Sequence, residues 1–477
     1  MTNGTPVYPI EPVLGIQRFA AIRVSFPDEN FTVSQELLSQ RIDLLSDYFS
    51  NVSYGRVSID VTFDKEVCKL SKNSTYYSDI LLEGPKQMEL VNESLLSASA
   101  SMNLTGFMRF IIFCAGEDIS IHPNATGFWP FAYFVPQVFG YRTAPIIGYV
   151  CVVTESSPLG VLAHEVAHTF GLPDLYNISV RDRAYESDNL VGAWFLMGTG
   201  NLNPSDLGTI PAQPSAWEKI QLGWLNDSQV ACPLPSTQTI VRLKAIETGI
   251  GVVALRIGLG GTWLMGEFKE KIGYDSGLPY DGGLVLYYVD GSKTSGGGII
   301  RVVGGVYGYH FSGLTLRVPA DRVSYSEETV FIDKSLNVSI VPLVEYNNTI
   351  VLLVGPEYVG LLATNASKAL RDAIEFRDSL RISISERTGT TPKFNETDAV
   401  IEEGWRKYSE GDFSGAQEIA LHALMTARAE YERIMLWLRI NGLIILAVLF
   451  GISTGLVFIL VRFMRFVYGN AKRLVEA

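Results

Sequence analysis

The sequence predicts an α+β multidomain chain. A mixed α/β, metal-binding domain is expected over 1–235 and a β-sandwich-like domain over 236–355. A helical stalk over 356–439, one transmembrane helix over 440–461 and a tail over 462–477 complete it. Three observations predict this order. Strand-like and helix-like runs alternate up to a His-Glu-x-x-His segment at His164. Short apolar runs separated by Gly-rich turns follow it. A stretch of 22 residues without a formal charge, Ile440 to Val461, comes after a series of amphipathic helices. At 477 residues the chain is too long for one ordinary core.

Composition narrows the function classes. Hydrophobic residues make up 47% and charged residues 18%, which excludes a disordered chain. The net charge of -12 argues against nucleic acid, because phosphate binding needs clustered Lys and Arg.

Strands are expected at Phe19 to Phe26, Val57 to Phe63, Met108 to Cys114 and Ile146 to Val153, and helices at Ser34 to Phe49 and Pro85 to Ser101. A further helix begins at Ser156-Ser157-Pro158. Ser157 suits an N-cap, Pro158 the first helical position, and Gly171 a left-handed stop after Phe170. Strands are then expected at Val241 to Ile246, Val252 to Ile257, Thr262 to Phe268, Gly283 to Val289 and Thr349 to Val354. The run GSKTSGGG, Gly291 to Gly298, reads as an exposed hairpin loop, since no Gly-Lys-Ser/Thr follows to make it a phosphate cradle. Ala363 to Arg387, Asp398 to Ser409 and Asp412 to Arg439 read as amphipathic helices.

Ile440 to Val461 would extend about 33 Å as a helix, enough for a hydrocarbon core of about 30 Å. Arg462, Arg465, Lys472 and Arg473 behind it suit a cytoplasmic tail. Thirteen Asn stand in Asn-x-Ser/Thr sequons: Asn3, Asn30, Asn51, Asn73, Asn92, Asn103, Asn124, Asn177, Asn226, Asn337, Asn347, Asn365 and Asn395. Chance gives roughly three, and all thirteen precede residue 440. A glycosylated body outside the cell, single-pass in the cell membrane, is expected. Residues 1 to 20 hold no apolar run like a signal peptide, so a removed leader or an upstream start is expected. The four cysteines, Cys68, Cys114, Cys151 and Cys232, permit two disulfides; Cys114 and Cys151 lie in strand-like apolar runs and suit small core residues equally well.

The chemistry gathers at His164 to Tyr176, HEVAHTFGLPDLY. His164 and His168 are four apart on a helix, so both imidazoles leave one face and reach a single ion. Glu165 stands beside them as general base toward metal-bound water. Gly171 turns the chain back and Asp174 arrives as third ligand, leaving a fourth position for water. In a chain with five His, a random His-Glu-x-x-His is expected about 0.003 times. His122, His310 and His422 lack ligand spacing. Zinc is the expected cofactor, with calcium as a further candidate.

This segment resembles the immune inhibitor A-like family of secreted metalloproteases, within the zincin and metzincin-like group. The resemblance implies a zincin-like catalytic domain, with Asp174 in the place of the family's Asp ligand. It makes WFLMG, Trp194 to Gly198, similar to the family's Met-containing turn, with Met197 beneath the metal. GFWPF at Gly127, PSAWEKIQLGWL at Pro214 and the run from Gly266 to Asp290 are similar to further family segments, so the likeness covers 15–355. The chain departs from the family in having no recognisable propeptide, a helical ending and many sequons.

These readings predict a membrane-anchored extracellular zinc endopeptidase acting on protein or peptide substrates. Its other partners would be the lipid bilayer, through the C-terminal helix, and surface-layer or other membrane proteins. The alternative is a catalytically idle component of a surface layer or filament that retains the fold. A glycan-dependent adhesin or mucin-type peptidase has no specific sugar-site residue behind it.

Overall fold

A computed structural model describes residues 11–78, 84–121, 127–138, 146–178, 190–204, 207–304, 306–307, 310–311, 315–318, 322, 329–449 and 461–463. The chain divides into two compact units. One comprises residues 1–234, 241–316 and 346–350; the other comprises 235–240, 317–345 and 351–477.

The first unit is built on a mixed sheet. Its strands are β1 (Gly15–Ser25), β2 (Val57–Phe63), β3 (Cys68–Lys69) and β4 (Arg109–Cys114). After a short ladder of β5 (Glu117–Asp118) and β6 (Gly127–Phe128) come β7 (Phe131–Val138) and β8 (Ile146–Thr154). The order is β2-β1-β4-β8-β7, with β3 beside the end of β1. All pairs are parallel except β7 on β8. The inner strands read as nearly continuous apolar runs, RFIIFC in β4, because both faces of the sheet are covered. Phe19, Ala21, Ile111 and Phe113 face one core, shared with helices α1 (Gln35–Val52) and α4 (Leu159–Thr169). Ala20, Ile22, Phe110 and Ile112 face the other core, shared with α3 (Pro85–Ser99), which follows the single turn α2 (Ser74–Tyr77). Helix α1 starts one residue after the expected Ser34, which caps it instead, Leu37 N–H donating to the Ser34 hydroxyl.

The β-rich stretch does not form one sandwich. Strands β9 (Val230–Ala231), β11 (Ala254–Gly258), β12 (Trp263–Lys269), β13 (Gly283–Val289) and β14 (Ile300–Val302) make a sheet of the first unit, joined at β13 by β17 (Thr315–Leu316). Val285, Tyr287 and Ile300 of this sheet lie in the same core as α4, so the chain leaves the first unit at 235 and re-enters it at 241. Between β14 and β17 runs the small ladder β15 (Val306–Tyr307) and β16 (His310–Phe311). A second sheet has the order β10-β20-β19-β18, from β10 (Thr239–Lys244), β18 (Phe331–Asp333), β19 (Val338–Tyr346) and β20 (Thr349–Gly355).

In the second unit Val341 and Leu353 share a core with the helices that follow. After α5 (Ala216–Gln221) of the first unit, these are α6 (Glu357–Thr388), α7 (Asn395–Ser409) and α8 (Phe413–Leu449). Ala363, Ala366, Leu370 and Ala373 of α6 and Ala416, Ala420 and Ala423 of α8 are fully buried. Their spacing of three and four places them on one stripe of each helix, and their small size lets the helices approach closely. The expected stalk is therefore part of a packed unit that includes residues of β18, β19 and β20.

The expected transmembrane helix is corrected. Among the described residues no helix is long and apolar enough to cross a membrane. Helix α8 runs through the expected start at 440 to Leu449, and residues 450–460 lie outside the described residues. Before that start α8 carries Glu430, Glu432, Arg433 and Arg439, charges that a membrane-crossing stretch does not hold.

The cysteines are unpaired, with Cys68, Cys114 and Cys151 buried and Cys232 exposed. Cys68 and Cys114 both align with Val24, on opposite sides of β1. Two strand spacings, about 9.6 Å, exceed the reach of a disulfide. Cys151 lies in the core on the other face of the sheet from Cys114. Burial pushes both of these thiols up from their ordinary value.

Of the sequon asparagines, Asn30, Asn51, Asn73, Asn103, Asn226, Asn337, Asn347, Asn365 and Asn395 are exposed, and Asn92 and Asn177 are half-buried. Asn3, Asn124 and the side chain of His310 lie outside the described residues, as does His122; His422 is exposed.

Candidate metal centre

Helix α4 begins one residue later than its sequence predicts. Pro158 occupies the N-cap without a side-chain bond, while Ser157 donates to Asp118 Oδ2 at 2.6 Å and accepts from Thr154 N–H. The hydroxyl is used to tie the helix entry to the loop after β4. At the other end Gly171 takes φ +97, a backbone region that excludes most side chains, and its N–H closes on the His168 carbonyl at 2.9 Å. That reversal returns residues 172–178 past the helix.

The return brings Asp174 to the two imidazoles. His164 Nε2 and His168 Nε2 lie 3.3 and 3.2 Å from Asp174 Oδ1. One ligand atom from each residue falls within 4.8 Å of the others, the separation that a shared ion requires. The opposite ring nitrogens are already engaged: His164 Nδ1 donates to Leu196 O at 3.0 Å and His168 Nδ1 to Leu172 O at 2.7 Å. Those carbonyls select the tautomer whose Nε2 lone pair faces inward, which suits metal ligation. The donor set of two imidazoles and one carboxylate fits zinc with an open fourth position.

Glu165 is buried beside the ligands, and its Oε2 has no hydrogen-bond partner among the described residues. Burial raises its carboxyl to about 7, against the pull of both histidines. Burial acts against a charged His168, yet the facing Asp174 carboxylate lifts it to about 9. Burial would raise Asp174 as well, but His168 and His164 hold it well below the usual carboxylate range.

The Met-containing turn lies against both ligand segments. Met197 is fully buried, and its carbonyl accepts from Leu175 N–H at 2.8 Å. The preceding carbonyl, Leu196 O, is the one that holds His164. Leu196 N–H in turn donates to Gln213 O at 3.2 Å. Tyr176 stacks on His164, ring centroids 6.1 Å apart. Two contributors were not legible in the sequence. Ser295, in the loop read as a free hairpin, bonds Asp174. A buried set of Glu267, Lys269 and Asp275 underlies the segment from Gln213 to Ala216. Neither has a spacing signal, because both lie more than fifty residues downstream of the groups they contact.

Comparison with known proteins bears on the same stretch. Residues 138–226, which include all three ligands, Glu165 and Met197, match the model of the immune inhibitor A peptidase M6 catalytic domain. No curated protein matches the chain. The match supports a metalloprotease function, with a metal cofactor and protein or peptide substrates, and supports for this stretch the likeness to the immune inhibitor A-like metalloproteases.

Proposed function

We propose that the protein is a zinc-dependent endopeptidase in which His164, His168 and Asp174 hold the ion and Glu165 is the general base. The observation that carries this reading is the convergence of those three donors beside a buried carboxylate with an unpartnered oxygen. Leaving such an oxygen unsatisfied costs about 1–3 kcal/mol, and a proton-accepting role beside the three donors accounts for its position.

Bound zinc would supply Lewis acidity toward the peptide carbonyl and lower the pKa of water at the open position. The residues do the rest. Leu196 O and Leu172 O keep the imidazoles oriented, so the helix face is preorganised. Glu165, raised by burial, takes the proton from attacking water and passes it to the leaving amine nitrogen. Helix α4 packs on β7 and β8, and β7 is the last strand of its sheet. An extended peptide can add beside β7 through its main chain, which would bring its carbonyls along the helix.

Purified protein is expected to bind about one equivalent of zinc and to cleave a broad peptide library, with cleavage lost to a chelator and restored by zinc. His168→Ala should lose most of the metal. Full zinc occupancy in that variant would sink the ligand assignment.

The same reading places the body outside the cell, in line with the exposed sequons at Asn30, Asn51, Asn73 and the six others. Mass spectrometry of native protein should find glycans on several of them. Unmodified peptides at all nine would remove this part of the reading.

A further inference from the structure

The loop between β13 and β14 makes its contacts with a metal ligand. Its ends are joined by the ladder, Val289 opposite Ile300, and by Asp290 N–H donating to Ile299 O at 2.8 Å. Within it Asp290 Oδ1 accepts from both the N–H and the hydroxyl of Ser292, which stiffens the first turn. Beyond that turn Ser295 meets Asp174 twice. Its Oγ accepts from Asp174 N–H at 2.9 Å and lies 3.3 Å from Asp174 Oδ2, to which it donates. The next residue pairs as a strand would: Gly296 N–H donates to Asp174 O at 2.9 Å, and Gly296 O accepts from Ile178 N–H at 3.3 Å. Gly296 sits at φ +66, and a Cβ there would stand 2.4 Å from the Ile178 side chain. The close approach therefore requires glycine.

From this geometry we infer that Ser295 and Gly296 form a clamp on the third ligand, and that Ser295 is a positioning residue for metal binding. The inference rests on the metal reading above. Asp174 follows Gly171 on a connecting segment beyond helix α4, so helix periodicity does not fix its carboxylate. The Ser295 hydroxyl engages Oδ2, which leaves Oδ1 directed at His164 Nε2 and His168 Nε2. Partners of this kind typically change metal affinity by about 10–100-fold when removed.

The test is zinc affinity of the full chain by competition with a chromophoric chelator, with thermal melts of the metal-free proteins as a folding control. Ser295→Ala is expected to weaken zinc binding about 10–100-fold, and Ser295→Thr, which keeps the hydroxyl, to stay near wild type. Ser292→Ala removes a hydroxyl that does not touch Asp174 and keeps the Ser292 N–H bond to Asp290 that closes the turn, so it should leave affinity unchanged. Gly296→Ala should weaken binding by breaking the approach to Ile178. Equal affinities in wild type and Ser295→Ala would overturn the clamp. So would an equal loss in Ser292→Ala, or a wild type that binds no zinc. A wild type that binds zinc in a Ser295-dependent way yet cleaves no peptide would keep the clamp and overturn only the peptidase reading.

Discussion

Glu165→Ala is expected to lose about 10²–10⁴-fold in peptide cleavage while keeping its zinc and its fold. The residue is next to a ligand but outside the ligand set, so truncation leaves His164, His168 and Asp174 in place. Ala is the best helix former, and position 165 lies in the middle of α4. Because Oε2 makes no hydrogen bond among the described residues, removing it orphans no partner of that oxygen. Three measurements check this: metal content, circular dichroism and cleavage of a broad peptide set. Activity within a few-fold of wild type would dismiss Glu165 as the base. A wild type inactive on every substrate, with a normally folded Glu165→Ala protein, would favour a structural role for the fold.

Lys269→Met is expected to destabilise the first unit by about 3–5 kcal/mol. Lys269 is fully buried, with its Nζ 2.7 Å from Asp275 Oδ2 and 3.5 Å from Glu267 Oε1. Burial opposes its charge, but Asp275, Glu267 and the nearby Glu247 outweigh burial and raise it. The acids are themselves committed to the site's support. Asp275 Oδ1 accepts from Gln213 N–H at 2.9 Å, and Glu267 Oε2 accepts from Ala216 N–H at 2.6 Å and from the Tyr287 hydroxyl. Removing only the cation leaves buried negative charge uncompensated, which costs far more than the pair is worth against an apolar replacement. Met matches the length of Lys, so the loss reports charge rather than a cavity. Urea titration followed by tryptophan fluorescence measures it. A change under 1 kcal/mol would show that the acids are held without the lysine.

Much of the first unit was legible because its signals are local. β2 and β13 lie where alternation and turn residues place them, and β4 and β8 differ by one residue at an end. Strand β7 was not anticipated, since FAYFVPQV carries a Pro and mixes apolar with polar positions as an edge strand does. The sandwich expected over 236–355 assumed that neighbouring strands in sequence share a core. They do not, because an apolar strand face buries against whatever complementary surface the chain brings, here Phe195 for Tyr287 and the core shared with α6 for Leu353.

The sequence by itself determined the metal-binding helix: a period of 3.6 residues puts His164 and His168 on one face, and Gly171 forces the reversal toward Asp174. Tertiary structure alone decided what holds those side chains in register. Leu196 O orients His164, Ser295 orients Asp174, and Lys269 neutralises the acids beneath Gln213. The difference is physical. Helix periodicity and a left-handed glycine act over a few residues and leave a spacing to read. A hydrogen bond between residues 174 and 295, or an ion pair that must be dry to be strong, exists only once distant strands have packed, and imposes no pattern on the intervening chain.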